Sequence, residues 1–209
     1  MQLLPGLKID RLIKMIKKIE EIVMFSNESY LGKINEIDNN VIEKEVFQLK
    51  ISLEGRQFSN VGGWQSSDLD KNYIEKNMPE TFKMLKGVEK IVKEIYRTWG
   101  FESEPNFDNA WCNINGPKDY NLAHCHPQSY FSFVYYVKCN PESGKIVFMR
   151  PDLQSHYFPK LENINKYTFG KYYFTPEAHT CIVFPSYLEH FVEPNMSEEF
   201  RISISGNFK

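Results

Sequence analysis

The chain has 209 residues, of which 42% are hydrophobic and 15% aromatic, a composition that excludes a disordered protein and suffices for one compact domain. With 25 Lys+Arg against 27 Asp+Glu, the formal net charge is −2. That balance argues against a general nucleic-acid-binding protein, which needs excess positive charge to neutralise phosphates. The 4 cysteines form no C-x-x-C pair, so neither a zinc ribbon nor a disulfide scaffold is predicted.

No apolar run approaches the ~20 residues that a membrane-spanning helix needs. Charges at Lys8, Asp10 and Arg11 interrupt any apolar stretch of the kind found in signal peptides. We therefore expect a soluble, cytoplasmic protein whose cysteines stay reduced.

The first half of the sequence is mostly helical in pattern. Apolar residues recur at helical spacing over 12–23 and predict an amphipathic helix, which would dock on its own domain or against a second copy in a homodimer. Alternating residues over 47–53 predict a half-buried strand, and a tight glycine turn follows over 59–66. A second long helix is predicted over 80–99, ended by Gly100.

Beyond residue 105 the apolar period changes to two, which predicts short strands separated by proline and glycine turns. The predicted strands are Trp111–Asn115, Tyr130–Val137, Ile146–Phe148, Tyr172–Phe174, Thr180–Phe184 and Arg201–Phe208. This order predicts an α+β, mainly β fold, a β-barrel or jelly roll buttressed by N-terminal helices. We expect one domain over 1–209, with a helical part at 1–104 and the β core at 105–209.

Two histidines flank one residue just before an aromatic strand, at His124 and His126. If this stretch is extended, both imidazoles project from one face and can chelate Fe, Zn, Cu or Ni. Two structural histidines beside a strand would give the same pattern, so the pair indicates a metal site only if a third ligand accompanies it.

A third histidine, His190, follows an apolar strand and a proline turn, eleven positions before Arg201. Strand alternation places Arg201, Ser203, Ser205 and Asn207 on one face. That face either points to solvent or lines a pocket. In a pocket, the Arg201 guanidinium would form a bidentate contact with a carboxylate, and the Ser203 hydroxyl would donate a hydrogen bond beside it.

The ordered set His-x-[acid], distal His and Arg-x-Ser is the signature of the 2-oxoglutarate- and iron(II)-dependent oxygenases, which fold as a double-stranded β-helix, a jelly roll. The sequence resembles a small branch of that family known mainly from bacterial and phage genomes. The resembling stretches are 111–116, 121–127, 132–137, 184–190, 201–207 and the glycine turn at 59–66.

The resemblance implies iron(II) held by His124, His126 and His190, and 2-oxoglutarate as a cosubstrate bound by Arg201 and Ser203. It also implies O2 as co-reactant and hydroxylation of a substrate, with release of succinate and CO2; desaturation or halogenation are alternative outcomes. The protein would supply ligand geometry and orientation, while the metal centre supplies the oxidising power.

One position departs from the family pattern, because a carboxylate is expected two residues after the first histidine and His126 stands there. A three-histidine site carries one less negative charge than the usual pair of histidines with one carboxylate. Alternatively, His126 is not a ligand and another acid completes the site, with Asp152 the nearest candidate.

The residues expected to line the pocket are Trp111, Asn113, Asn115 and Tyr135. The aromatic rings of Trp111, Phe131 and Phe133 are expected to exclude water from the metal. His156 is expected in a loop and His179 in a turn.

Three other functions fit parts of the pattern. They are a cupin-like metalloenzyme that does not use 2-oxoglutarate, a non-catalytic binding or structural module of the same fold, and a zinc hydrolase. The cupin pattern expects a glutamate shortly after His126, and a zinc hydrolase expects a general-base glutamate near the histidine pair. Neither glutamate is found in the sequence.

Overall fold

The structure, a computed structural model, describes residues 27–152 and 157–209. The helix predicted over 12–23 and the histidine His156 lie outside the described residues. Among the residues that are described, no helix has the length and apolar character needed to cross a membrane.

From residue 27 onward, three helices precede the β core: α1 (Asn39–Ser52), α2 (Lys71–Asn77) and α3 (Pro79–Trp99). The prediction of α3 is confirmed, including its end at Gly100, whose φ of 77° is the left-handed conformation that glycine adopts without strain. The seven-residue α2 was not predicted, because its apolar pattern is too short to show a period.

The strand predicted over 47–53 is wrong, since most of that segment belongs to α1. The buried residues of α1 include Ile42, Val46 and Leu49, which recur at helical spacing, whereas Ile51 is 88% exposed. Alternation over 47–53 was therefore coincidental, and packing against α3 and the sheet selects the helix.

Over residues 27–152 and 157–209, eleven strands form two antiparallel sheets. The strands are β1 (Tyr30–Lys33), β2 (Asn60–Val61), β3 (Trp64–Gln65), β4 (Phe107–Asn115), β5 (Tyr120–His124), β6 (Phe131–Lys138), β7 (Ile146–Met149), β8 (Lys171–Phe174), β9 (Thr180–Pro185), β10 (His190–Val192) and β11 (Arg201–Phe208). One sheet has the order β1-β9-β6-β11-β4-β3 and the other β2-β5-β10-β7-β8. The predicted jelly roll, a double-stranded β-helix buttressed by helices, is confirmed.

Two apolar layers hold this architecture together. The larger one lies between the helices and the six-stranded sheet and includes Ile202 and Ile204 of β11. The smaller one lies between the sheets and includes Val134, Ile182 and Phe184. Because side chains alternate along a strand, the polar residues of β11 are directed away from the helices and toward the space between the sheets.

The glycine turn predicted over 59–66 connects the two sheets, because β2 pairs with β5 and β3 pairs with β4. Gly62 and Gly63 both have positive φ, at 68° and 65°. A Cβ on Gly62 would lie 1.9 Å from Oδ1 of Asp119, so both the backbone conformation and the close approach require glycine there.

Candidate metal centre

The three histidines singled out in the sequence meet at one end of the five-stranded sheet. His124 is the last residue of β5 and pairs directly with His190, the first residue of β10. His126 follows two residues after β5, where its backbone N–H donates to the Ser186 carbonyl at 2.9 Å. The ring centroids lie 4.4 Å (His124–His190), 5.1 Å (His126–His190) and 5.2 Å (His124–His126) apart.

In two of these imidazoles a backbone carbonyl contacts Nδ1. The Nδ1 of His124 lies 2.7 Å from the Leu122 oxygen, and that of His190 lies 2.9 Å from the Leu188 oxygen. A carbonyl oxygen only accepts, so each Nδ1 carries the proton and each Nε2 keeps its lone pair. This is the tautomer in which Nε2 can bind a metal.

His126 is held by side chains instead. Its Nδ1 lies 2.7 Å from Oγ of Ser132 and 2.8 Å from Oδ1 of Asn207. Its Nε2 is buried and has no hydrogen-bond partner among the described residues, which is costly unless another ligand is present. The ligand atoms of the three histidines all lie within 4.8 Å of one another, so the set fits a metal ion that prefers imidazole nitrogen.

Burial sets the charge state of the cluster. It lowers the pKa of His190 to about 3 and that of His126 to about 4, and it also lowers the pKa of His124. The mutual repulsion of neighbouring imidazolium charges lowers the pKa of His126 and His190 further. All three rings are therefore neutral at pH 7, the form that coordinates metals.

The aromatic wall around the cluster differs from the one predicted. Phe184 and Phe148 pack on His190, with ring centroids at 4.8 Å and 5.8 Å, and Trp111 lies 5.4 Å from His126, as expected. The prediction for Phe131 is wrong, since its ring packs against helix α3 on the other face of β6. Phe133 belongs to the same helix-facing layer but also contributes to the cavity wall.

The triad opens into a cavity of about 620 Å³ between the two sheets. The polar residues of β11 and their partners on β4 line it, namely Arg201, Ser203, Ser205, Asn207, Asn115, Asn113, Trp111 and Asn109. The polar face of β11 therefore lines the cavity instead of pointing to solvent.

Arg201 is a buried cation in the wall of this cavity, only 2% exposed. Its Nη1 donates to the backbone carbonyls of Ser143 and Glu193. Within residues 27–152 and 157–209, no carboxylate forms an ion pair with it. Burial lowers the pKa of this guanidinium, and an uncompensated buried charge of this kind favours an anionic ligand.

Tyr136, which was not predicted, lines the cavity in place of Tyr135. The prediction for Tyr135 is wrong, because its side chain faces the helices and its hydroxyl donates to Oδ1 of Asn39 at 2.7 Å. Tyr136 is the cross-strand partner of Ser203, next to an irregularity in the β11–β6 register. Burial raises the pKa of its hydroxyl, and the charge of Arg201 opposes that rise. Only the register of the folded sheet identifies this residue.

Asp152, the alternative acidic ligand, lies elsewhere. Nε of Arg150 donates to the Asp152 carboxylate at 2.7 Å. Asp152 lines a second cavity, which none of the three histidines lines. In the part of the chain that the structure describes, the candidate metal cluster consists of His124, His126 and His190. His179 lies in a turn with a φ of 66°, as predicted.

Comparison with solved structures supports the class of fold. A Pseudomonas putida prolyl-4-hydroxylase is 14% identical with a TM-score of 0.61, covering 88% of this chain and 93% of that one. A Trichoplax adhaerens prolyl hydroxylase, solved with a hypoxia inducible factor peptide fragment, is 12% identical with a TM-score of 0.62 over 88% and 84% of the two chains. HygX from Streptomyces hygroscopicus, solved with nickel and 2-oxoglutarate, is 11% identical with a TM-score of 0.57 over 87% and 82%. At these identities the likeness shows the fold, the double-stranded β-helix.

The family follows from the sequence of the β core. Residues 109–207 match the model of the family described as "Putative 2OG-Fe(II) oxygenase", and this part of the chain is a 2OG-Fe(II) oxygenase domain. The family uses iron(II) as its cofactor, with 2-oxoglutarate and O2 as cosubstrates, and its members are oxidoreductases. No curated protein matches the sequence.

Proposed function

We propose that this protein is an iron(II)- and 2-oxoglutarate-dependent dioxygenase that hydroxylates a C–H bond of an organic substrate. One observation carries the proposal: three neutral imidazoles that keep a lone pair on Nε2 share a cavity with a buried guanidinium that forms no ion pair with a carboxylate of the described residues. A metal centre and an anion-binding group in one cavity are the two elements that 2-oxoglutarate requires, since it carries a metal-chelating end and a distant carboxylate.

His124, His126 and His190 would hold the iron through Nε2, and the cluster needs no carboxylate from the chain. Iron(II) bound there supplies the activation of O2, with 2-oxoglutarate as the co-reductant. In the balanced reaction one oxygen atom enters the substrate C–H bond and the other enters succinate, while CO2 leaves. The protein's own part is to hold the three rings neutral and oriented and to keep water away, with Phe184 and Phe148 covering His190.

The carboxylate of 2-oxoglutarate remote from the metal would bind at Arg201. Backbone carbonyls already hold its Nη1 in place, so the guanidinium is preorganised and its remaining donors can bind a carboxylate. The Ser203 hydroxyl lines the same part of the cavity, and the Tyr136 hydroxyl is close enough to be influenced by the Arg201 charge. Both can donate to the same carboxylate.

The substrate would bind in the part of the cavity that the cosubstrate leaves free beside the triad. The cavity is also lined by Phe58 and by an ion pair between Arg56 and Asp68, and the ring centroid of Trp111 lies 5.4 Å from that of His126. An aromatic and charged lining of this kind suits a polar substrate with an apolar part placed near the metal.

We infer one domain over 1–209, because the helices of the part at 1–104 share a single core with the sheet at 105–209.

All four cysteines are free thiols, which supports a reducing cytoplasmic location. A homodimer through segment 12–23 is also proposed, and sedimentation of the protein with and without Ile16→Glu tests it.

The activity is tested by adding iron(II) and then 2-oxoglutarate to the purified protein without oxygen. We expect a weak visible charge-transfer band after the second addition, and succinate formation once O2 is admitted. No band, together with 2-oxoglutarate affinity that is unchanged in Arg201→Ala, would exclude this function. A band without succinate would instead indicate a binding module of the same fold.

A further inference from the structure

His126 is oriented by side chains, whereas backbone carbonyls orient the other two imidazoles of the cluster. Its Nδ1 lies 2.8 Å from Oδ1 of Asn207, the second-last residue of strand β11, and 2.7 Å from Oγ of Ser132 on β6. Ser132 is fully buried and Asn207 is only 7% exposed, so neither contact competes with bulk solvent.

The direction of each hydrogen bond can be deduced by counting protons. Nδ2 of Asn207 donates to Oδ1 of Asn109 at 2.8 Å, which turns the amide oxygen of Asn207 toward His126. The Ser132 hydroxyl donates its proton to that same oxygen at 2.8 Å, and the hydroxyl of Ser186 lies 2.7 Å from Ser132. With its proton used, Ser132 can only accept from His126 and Ser186.

An unprotonated Nδ1 on His126 is excluded by the same contacts. It would direct its lone pair at the lone pairs of Asn207 Oδ1 from a distance of 2.8 Å, which is repulsive. The proton therefore lies on Nδ1. The buried Nε2, which has no partner among the described residues, is left with its lone pair.

We propose that Asn207 is a positioning residue for the metal site: it fixes His126 in the Nδ1–H tautomer and thereby aims Nε2 at the metal. The proposal rests on the metal site of the proposed function, and it explains how an imidazole outside a strand is oriented as firmly as its two neighbours. Groups that accept from the second nitrogen of a histidine ligand typically affect metal affinity by about 10–100-fold.

A purely structural role for the Asn207 side chain is the alternative. The backbone of β11 is already paired on both sides, with Asn109 on β4 and Ser132 on β6 opposite Asn207. The strand therefore does not depend on this side chain for its position. If the role is structural, any replacement of Asn207 should change the stability of the protein. If Asn207 positions His126, metal affinity should depend on whether the replacement keeps a hydrogen-bond acceptor at the place of Oδ1.

The test compares three variants in the complete chain by titration with Co(II), whose visible spectrum reports ligation. Asn207→Leu removes the acceptor at similar size and should weaken Co(II) binding by about 10–100-fold. Asn207→Asp keeps an acceptor for Nδ1–H and should stay within a few-fold of the original protein. Ser205→Ala is the matched control, on the same strand and the same face but without contact to His126, and should bind Co(II) unchanged.

The proposal is overturned if Asn207→Leu binds Co(II) as tightly as the original protein, or if the Leu and Asp variants lose affinity equally. A second measurement does not depend on any variant of Asn207 folding. Histidine ring nitrogen shifts of the metal-free, 15N-labelled protein, assigned with His126→Gln, should show His126 as the Nδ1–H tautomer near pH 7. The Nε2–H tautomer would contradict the proposal. Absence of Co(II) binding by the unsubstituted protein would refute the proposed metal site, while the nitrogen shifts still decide the tautomer.

Discussion

His124 and His190 are direct partners across the β5–β10 ladder, and their ring centroids lie 4.4 Å apart. Backbone pairing therefore brings these two candidate ligands together, and a carbonyl two residues earlier in each chain segment orients each ring. A site organised in this way is formed by the fold before any metal binds, which is the preorganisation that a functional site needs.

Replacing His190 with Ala should weaken iron binding so far that the variant loses its iron on desalting. The variant removes one of three Nε2 ligands and leaves a cavity beside Phe184, so the remaining pair should hold iron at least ~10-fold more weakly. Iron content after anaerobic loading and desalting measures the effect. His179→Asn is the control, since His179 lies in a turn outside the cluster at a positive φ that Asn tolerates. Full iron retention in the His190 variant would show that the ligand set is wrong.

Replacing His126 with Asp tests the departure from the usual ligand set. If His126 is a direct ligand, a carboxylate at this position restores the common arrangement of two histidines and one acid. We expect His126→Asp to retain iron and succinate formation, and His126→Leu to lose both. Anaerobic iron titration and succinate assays distinguish them. Equal behaviour of the two variants would place His126 outside the coordination sphere.

Arg201 should determine the affinity for 2-oxoglutarate. Charge-assisted hydrogen bonds to a carboxylate contribute about 1.5–3 kcal/mol each, so Arg201→Ala should weaken 2-oxoglutarate binding by about 10–100-fold at unchanged iron affinity. Arg201→Lys keeps the charge without the planar fork and should be intermediate. Titration of the charge-transfer band gives both affinities, and circular dichroism checks that the variants fold. Unaltered 2-oxoglutarate binding in Arg201→Ala would contradict the assignment.

Tyr136 and Tyr135 are adjacent residues on opposite faces of β6, which makes them a matched pair. Tyr136→Phe should weaken 2-oxoglutarate binding several-fold, because it removes a hydroxyl from the wall near Arg201. Tyr135→Phe removes only the hydrogen bond to Asn39 and should cost about 1 kcal/mol of stability without altering that affinity. Binding titrations and urea unfolding of both variants test the pair. The opposite pattern would mean that the face assignment of β6 is incorrect.

The metal-free protein should lose stability as the pH falls from about 6.5 to 5. The pKa values of His190 and His126 are about 3 and 4 in the fold, against an ordinary value of 6.5, so the unfolded chain takes up protons first. Each ring then lowers the free energy of unfolding by up to about 1.4 kcal/mol per pH unit. Urea unfolding at pH 7, 6 and 5 measures the slope. His190→Gln should show a smaller slope, and an equal slope would argue against the buried neutral state.

Much of the fold could be predicted from the sequence because alternation and helical spacing are local properties. Helix α3 and six of the eight strands described in the β core were predicted within about four residues, and the order of helices and strands indicated the jelly roll; the short strands β5 and β10 were not among the predicted strands. The segment at 47–53 failed because both periods fit a short apolar run. In this segment the helix is favoured because it buries Val46 and Leu49 between α3 and the sheet.

For the site, the candidate residues could be predicted from the sequence: three histidines, an arginine and a serine at spacings typical of one family. The sequence could not determine what surrounds them, because those neighbours come from distant strands. The choice of Tyr136 over Tyr135, the exclusion of Asp152 and the contact between His126 and Asn207, 81 positions apart, depend on strand register and sheet order. Only the tertiary structure decides these, since one residue of register moves a side chain to the opposite face of a sheet.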